Sequence, residues 1–175
     1  MHILMCNDDG ILADGLRHLA SYLSQYYRIT VVAPANEQSA KSHALTTEVP
    51  LKLDACNGED ENPRLYALTG TPSDCMKFGL SYLLTDDMPD LVISGINHGF
   101  NLGSDVLYSG TVSAAMESGF YGIPGLALSV ERYSVERGDE MHPFIHELIE
   151  KIYVAGQFSG LLNVNFPLRG TCDWD

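Results

Sequence analysis

At 175 residues, with 45% hydrophobic and 19% charged positions, the chain has the make-up of one soluble globular domain that buries a core without disulfide or metal staples. Ten Lys and Arg against 23 Asp and Glu give a net charge of -13; this argues against duplex nucleic acid as a partner and repels small anions unless a cation or backbone amides help. No apolar run approaches the roughly 20 residues that span a bilayer, Cys6, Cys56, Cys75 and Cys172 form no Cys-x-x-Cys pair, and Met1 leads straight into an apolar stretch, so a cytoplasmic protein with reduced thiols is expected.

Residues 2–6 (His-Ile-Leu-Met-Cys) read as a short buried strand that stops at Asn7-Asp8-Asp9-Gly10. Adjacent side chains on a regular strand point to opposite faces, but at a strand end, with Gly10 free to turn the backbone, both carboxylates can converge. Two converging anions call for a cation, and hard oxygen ligands favour Mg²⁺, Mn²⁺ or Ca²⁺. The same four residues are also good turn and helix-capping chemistry. Leu16, Leu19, Ala20 and Leu23 then recur at helical spacing, with an end expected near Gln25, and residues 28–33 form a second buried strand stopped by Pro34. This is a strand–helix–strand unit with carboxylates where dinucleotide folds carry Gly-x-Gly-x-x-Gly.

The polar stretch 34–42 opens on the same edge as Asp8 and Asp9, where Ser39 offers a hydroxyl to a metal; a solvated loop is the alternative. Residues 46–53 have mixed β-character, 54–62 form an acidic hairpin or loop, and 64–68 a further strand. Thr71-Pro72-Ser73-Asp74 starts a helix as cap, first-turn proline and first-turn acid, a structural role. A strand at 90–94 precedes a long loop, 95–111, whose Gly and Asn content and interspersed apolar residues mark it as functional rather than disordered. Asn97 lies three residues past the expected strand end, a neutral oxygen donor placed like the two aspartates. The helix expected over 112–121 has no charge from Ser109 to Met116, which suits a bound phosphate, with Ser109 and Thr111 adding hydroxyls; an ordinary cap is the alternative. Residues 125–130 form a strand, 143–155 a helix starting at Pro143, and 161–166 a last strand stopped by Pro167.

These elements predict an α/β fold, Rossmann-like and doubly wound around a mostly parallel sheet, and a metal-dependent phosphohydrolase that attacks with a metal-activated water. The motifs 3–10 (Ile-Leu-Met-Cys-Asn-Asp-Asp-Gly), 31–34 (Val-Val-Ala-Pro), Gln38-Ser39 with 42–46 (Ser-His-Ala-Leu-Thr), 70–75 (Gly-Thr-Pro-Ser-Asp-Cys), 94–97 (Ser-Gly-Ile-Asn) with 101–103 (Asn-Leu-Gly), and 108–117 (Tyr-Ser-Gly-Thr-Val-Ser-Ala-Ala-Met-Glu) together resemble the SurE family of survival protein E nucleotidases. The resemblance runs in order over nearly the whole chain to Phe166. It implies hydrolysis of nucleoside 5′- and 3′-monophosphates and, in some members, of short polyphosphate. It also implies one Mg²⁺ or Mn²⁺ per subunit on Asp8, Asp9, Ser39 and Asn97, with Asp8 and Asp9 as the catalytic pair. Phosphate would meet Ser109, Gly110 and Thr111, and Asn101 would add a substrate contact.

Ala40 stands where many members have Gly, and the family's β-rich C-terminal extension is largely absent from a single domain of residues 1–175. A dimer at most, or a monomer prone to aggregation, is therefore expected, where the family's extension helps form dimers or tetramers. Two alternatives stand beside hydrolysis through an activated water: a nucleotide-binding module without turnover, and an aspartyl-phosphate phosphatase with Asp8 as nucleophile. No general acid stands out, although His43 and His98 lie near the right edge.

Overall fold

Every residue of the first strand, β1 (His2–Cys6), is buried, the signature of a central parallel strand covered on both faces. The computed structural model describes residues 1–39, 41–156 and 158–167. After β1 come α1 (Asp14–Leu23), β2 (Arg28–Pro34), β3 (Leu53–Ala55), β4 (Arg64–Leu68), α2 (Pro72–Phe78), β5 (Leu91–His98), α3 (Gly110–Glu117), β6 (Gly125–Val130), α4 (Val135–Ile149) and β7 (Leu161–Phe166). They build a seven-stranded sheet in the order β3-β4-β2-β1-β5-β6-β7. Only the short β3 runs antiparallel, against β4. The doubly wound α/β architecture expected from the sequence is what forms.

Strand alternation divides the core. Ile3 and Met5 point to the face covered by α1 and α4, packing with Leu16, Leu19, Ile145 and Ile149. Leu4 and Cys6 point to the other face, where α2 and α3 contribute Cys75, Met76 and Ala114. The chain winds outward from β1 through β2 to β4, then returns to lay β5 on the opposite side of β1. The reversal between β1 and β5 is the crevice where open α/β sheets bind ligands.

Four element boundaries differ from the sequence reading. β5 runs on to His98, because a register shift between Ser94 and Asn97 lets the strand continue past Gly95. Gly95 has φ +129°, and a Cβ there would lie 2.3 Å from the Leu128 carbonyl oxygen, so only glycine fits this bulge. α3 starts at Gly110 and stops at Glu117, handing over to a 3₁₀ turn at Ser118–Tyr121. α4 starts at Val135, capped by the Ser134 hydroxyl, and carries Pro143 in its interior. Its buried face is Gly138, Met141, His142, Ile145 and Ile149; a glycine and a histidine in that stripe hide the helical period from a count of apolar residues. Finally, residues 46–53 yield only the start of β3. Ala40, Cys172 and the stretch after Pro167 lie outside the described residues; Cys6, Cys56 and Cys75 are free thiols.

Candidate active site

The end of β1 is closed by Asn7, not by the aspartates. Its side-chain nitrogen donates to the Gly10 carbonyl and its oxygen accepts from the Gly10 amide, both at 3.1 Å. Gly10 sits at φ +100°, which an L side chain rarely adopts. With the turn held by its neighbours, Asp8 and Asp9 are released from turn duty. The Asp8 carbonyl accepts from the Gln38 amide at 2.7 Å, docking the loop after β2 beside it. Its carboxylate, in a residue only 5% exposed, accepts from the Thr111 hydroxyl at 2.5 Å. Gly110 lets α3 come this close: a Cβ there would lie 2.9 Å from the Asp8 Cβ and 3.1 Å from its Oδ2.

Burial makes both carboxylates reluctant anions. Asp9 is pushed up to about 6, first by burial, then by the charge of Asp8 and of Glu37; the His98 amide and imidazole offset part of this. Asp8 is raised chiefly by burial, against the Thr111 hydrogen bond, which favours its charged form. Two adjacent, largely buried acids whose negative charge the fold disfavours are a donor set that could hold a divalent cation. Among the described residues no group of three or more His, Cys, Asp or Glu side chains is arranged to hold a metal, so a cation bound at these two acids would take its other ligands from neutral oxygens.

The other expected donors sit at the same edge with partners of their own. Ser39 is exposed and donates to Glu37 at 2.7 Å, one residue from the Gln38 amide docked on Asp8. Asn97 lies on β5 just past the bulge, its nitrogen donating to the Gly99 carbonyl at 2.8 Å, so the oxygen is the atom left for a cation. Asn101 is buried and pins the long loop: its side chain donates to the Ser129 hydroxyl at 2.8 Å, its amide to Asn165, and its carbonyl accepts from Asn163 and Asn165. Ser109 is the cap of α3, accepting from the Val112 amide at 3.1 Å. The hydroxyls of Ser109 and Thr111 thus have partners within the protein, as do the Val112 and Ser113 amides on Ser109 and the Thr111 amide on Asp8. What α3 offers a phosphate is therefore the positive end of a helix with no acid in its first turn, beginning at the Gly110 amide.

Three features escaped the sequence. Glu37 is a third carboxylate within electrostatic reach of Asp8 and Asp9, and its place in the loop after β2 was the available signal. Asp74 does more than complete the capping box with Thr71: it also accepts from the Thr46 amide and hydroxyl, at 3.0 and 2.6 Å. Burial works to raise its pKa, yet the hydrogen bonds from Thr46 and Thr71 outweigh that and hold it low. His43 pairs at 2.5 Å with Glu117, a buried carboxylate at the unfavourable carboxyl end of α3. With Ser42 donating to the Leu107 carbonyl and Thr71 to that of Ala44, these contacts strap the loop after β2 across α2 and α3. His43 is thereby engaged away from Asp8, while His98 lies beside Asp9.

A family model described as survival protein SurE matches residues 3–175. The 5′-nucleotidase SurE of Thermoanaerobacter sp. is 49% identical over 168 residues, covering 95% of this chain and 66% of its own length. That of Caldanaerobacter subterraneus is 48% identical over 167 residues, covering 94% of this chain and 65% of its own. A crystal structure of the SurE protein from Aquifex aeolicus superimposes with a TM-score of 0.81 at 37% identity, covering 95% of this chain and 66% of that one. This chain therefore spans slightly less than two thirds of the length of these relatives.

Proposed function

The chain belongs to the SurE family, and on that premise we propose that it is a metal-dependent phosphomonoesterase that releases phosphate from nucleoside 5′- and 3′-monophosphates. The observation that carries the reading is the closure of the acid-free start of α3 onto Asp8, through Gly110 and the Thr111 hydroxyl. One edge thus offers cation ligands and phosphate donors side by side. Asp8 and Asp9 would hold the ion, with Ser39 and Asn97 as neutral donors. When bound, a divalent cation supplies charge neutralisation and Lewis acidity to the phosphoryl group. Thr111 orients Asp8 and favours its charged form against burial, and the positive end of α3 at Gly110 would receive a phosphate oxygen, which the protein's negative field would otherwise repel. The named activity of the relatives, 5′-nucleotidase, supports the substrate class. The free thiols of Cys6, Cys56 and Cys75 fit a reducing, cytoplasmic setting. Among the described residues no helix is long and apolar enough to cross a membrane.

The test is phosphate release from a panel of nucleoside monophosphates and short polyphosphate, with Mg²⁺, with Mn²⁺ and with chelator. Thermal unfolding is followed under the same conditions. Metal-dependent release together with a metal-induced rise in unfolding temperature is expected. Turnover that persists in chelator, or no metal-induced stabilisation, would overturn the metal assignment. Direct attack of water should invert configuration at phosphorus in a chiral thiophosphate substrate; retention, or a phospho-enzyme trapped on Asp8, would instead reveal a covalent route.

A further inference from the structure

We propose that the neutral cleft between the carboxyl ends of β2 and β4 holds the nucleoside part of the substrate, a reading that rests on the phosphomonoesterase assignment. The cleft has a volume of about 290 Å³, and its wall includes Asn36, Gln38, Thr46, Val49, Leu68 and Thr69. None of the side chains lining it is charged, in a protein whose net charge is -13. A larger cavity beside α1, about 520 Å³, is lined instead by Asp14, Arg17, His18 and Glu61, charges of both signs that suit no neutral ring.

Position supports the assignment from two sides. Gln38 lines the cleft, and its amide is the group docked on the Asp8 carbonyl at 2.7 Å. Thr71 lines it too and precedes Pro72, which packs close to Gly110: a side chain at Gly110 would put its Cβ 3.2 Å from the Pro72 Cγ and 2.9 Å from the Asp8 Cβ. β1, β2 and β4 lie side by side in the sheet, and neighbouring strands are about 4.8 Å apart, so the β4 end is roughly 10 Å from the β1 end. That is the reach of a nucleoside monophosphate from its phosphorus to its base.

The chemistry matches an uncharged heterocycle and a sugar. The Asn36 and Gln38 carboxamides each carry donors and an acceptor, the groups that pair with base edges and ribose hydroxyls, while Leu68 and Val49 supply apolar surface for a ring. The threonines are already held: Thr46 by Asp74, Thr69 by the Lys52 amide at 2.8 Å and Thr71 by the Ala44 carbonyl at 2.6 Å. A fixed wall beside two carboxamides that have no side-chain hydrogen bond among the described residues is a preorganised pocket that adapts only at its polar rim.

The test uses the full chain and two variants, Val49→Asp and Gln38→Ala. Val49 is 62% exposed, so a carboxylate there leaves the core untouched. Adenosine, guanosine, cytidine and uridine are titrated without metal and followed by calorimetry. Hydrolysis of the four 5′-monophosphates is compared with that of β-glycerophosphate, which has no base. At least one nucleoside should bind the wild type, and Val49→Asp should weaken that binding roughly tenfold or more. In the same variant KM for the nucleotide should rise by a similar factor at little change in kcat, and the preference for nucleotide over β-glycerophosphate should shrink. Gln38→Ala should act in the same direction more weakly. Release of phosphate from both esters without nucleoside binding, or with an unaltered preference in Val49→Asp, would overturn the cleft and leave the phosphomonoesterase standing. Nucleoside binding that Val49→Asp abolishes, with no phosphate release from any ester, would retain the cleft and overturn the phosphomonoesterase.

Discussion

Thr111 is wholly buried, and its hydroxyl is spent on one oxygen of Asp8. Thr111→Val keeps the shape and removes that bond, leaving a buried carboxylate with one donor fewer. A hydrogen bond to a charged group is worth about 1.5–3 kcal/mol, so phosphate release should fall roughly 10- to 100-fold, and unfolding free energy should fall with it. Chemical denaturation beside phosphate release checks both; a variant of undiminished stability would mean the bond is not made in solution. Asp9→Asn should behave the opposite way toward stability. Burial and Asp8 both oppose its charge, so the metal-free variant should be at least as stable as wild type while losing most of the stabilisation by Mn²⁺ and nearly all turnover. Equal metal-induced shifts in unfolding temperature would remove Asp9 from the ligand set. The place of the two aspartates at the end of β1 was legible in the sequence, because a short apolar run that stops at acids and glycine reads as a strand end. The partner of Asp8 was not, since it lies 103 residues further on and no local pattern sets how two strand ends meet.

On the scale of elements, the α1–α4 seam is where the sequence misled most. Pro143 looks like a helix start because proline suits a first turn, yet α4 runs through it from Val135, held by its buried face. That face includes His142, only 3% exposed and 5.2 Å from the Tyr22 ring of α1, with no hydrogen-bond partner for Nε2 among the described residues. Burial, aided by the nearby His18 and opposed by Asp139, pushes its pKa down to about 4 from an ordinary 6.5. The unfolded chain therefore takes up this proton first as pH falls. The stability owed to the neutral imidazole is complete above pH 6.5 and is lost on descending from there toward 4, about 2 kcal/mol of it by pH 5. His142→Leu should flatten this part of the stability profile, and the difference between the two proteins' urea midpoints at pH 7 and pH 5 measures it. Parallel profiles would show that His142 does not stay neutral in the fold.

For the whole molecule, the excess of 13 negative charges is the dominant long-range term. Self-repulsion should make the protein gain stability as NaCl rises from low concentration to about 0.15 M, where the screening length shrinks to about 8 Å. Unfolding temperatures along a salt series test this, and a flat or falling trend would show that local ion pairs outweigh net charge. The reversal of winding between β1 and β5 has a temporal consequence as well. During synthesis, Asp8 and Asp9 emerge first and wait as mutually repelling acids while β2, β4 and β5 are added; the glycine and hydroxyl that close over Asp8 emerge only with α3. On the proposed metal reading, capture of a cation would wait until α3 has closed against β1. A nascent chain interrupted before α3 would carry both aspartates and still lack the glycine and hydroxyl that close over Asp8, so on the proposed reading the onset of metal binding would time the joining of α3 to β1, with β6, α4 and β7 still to come.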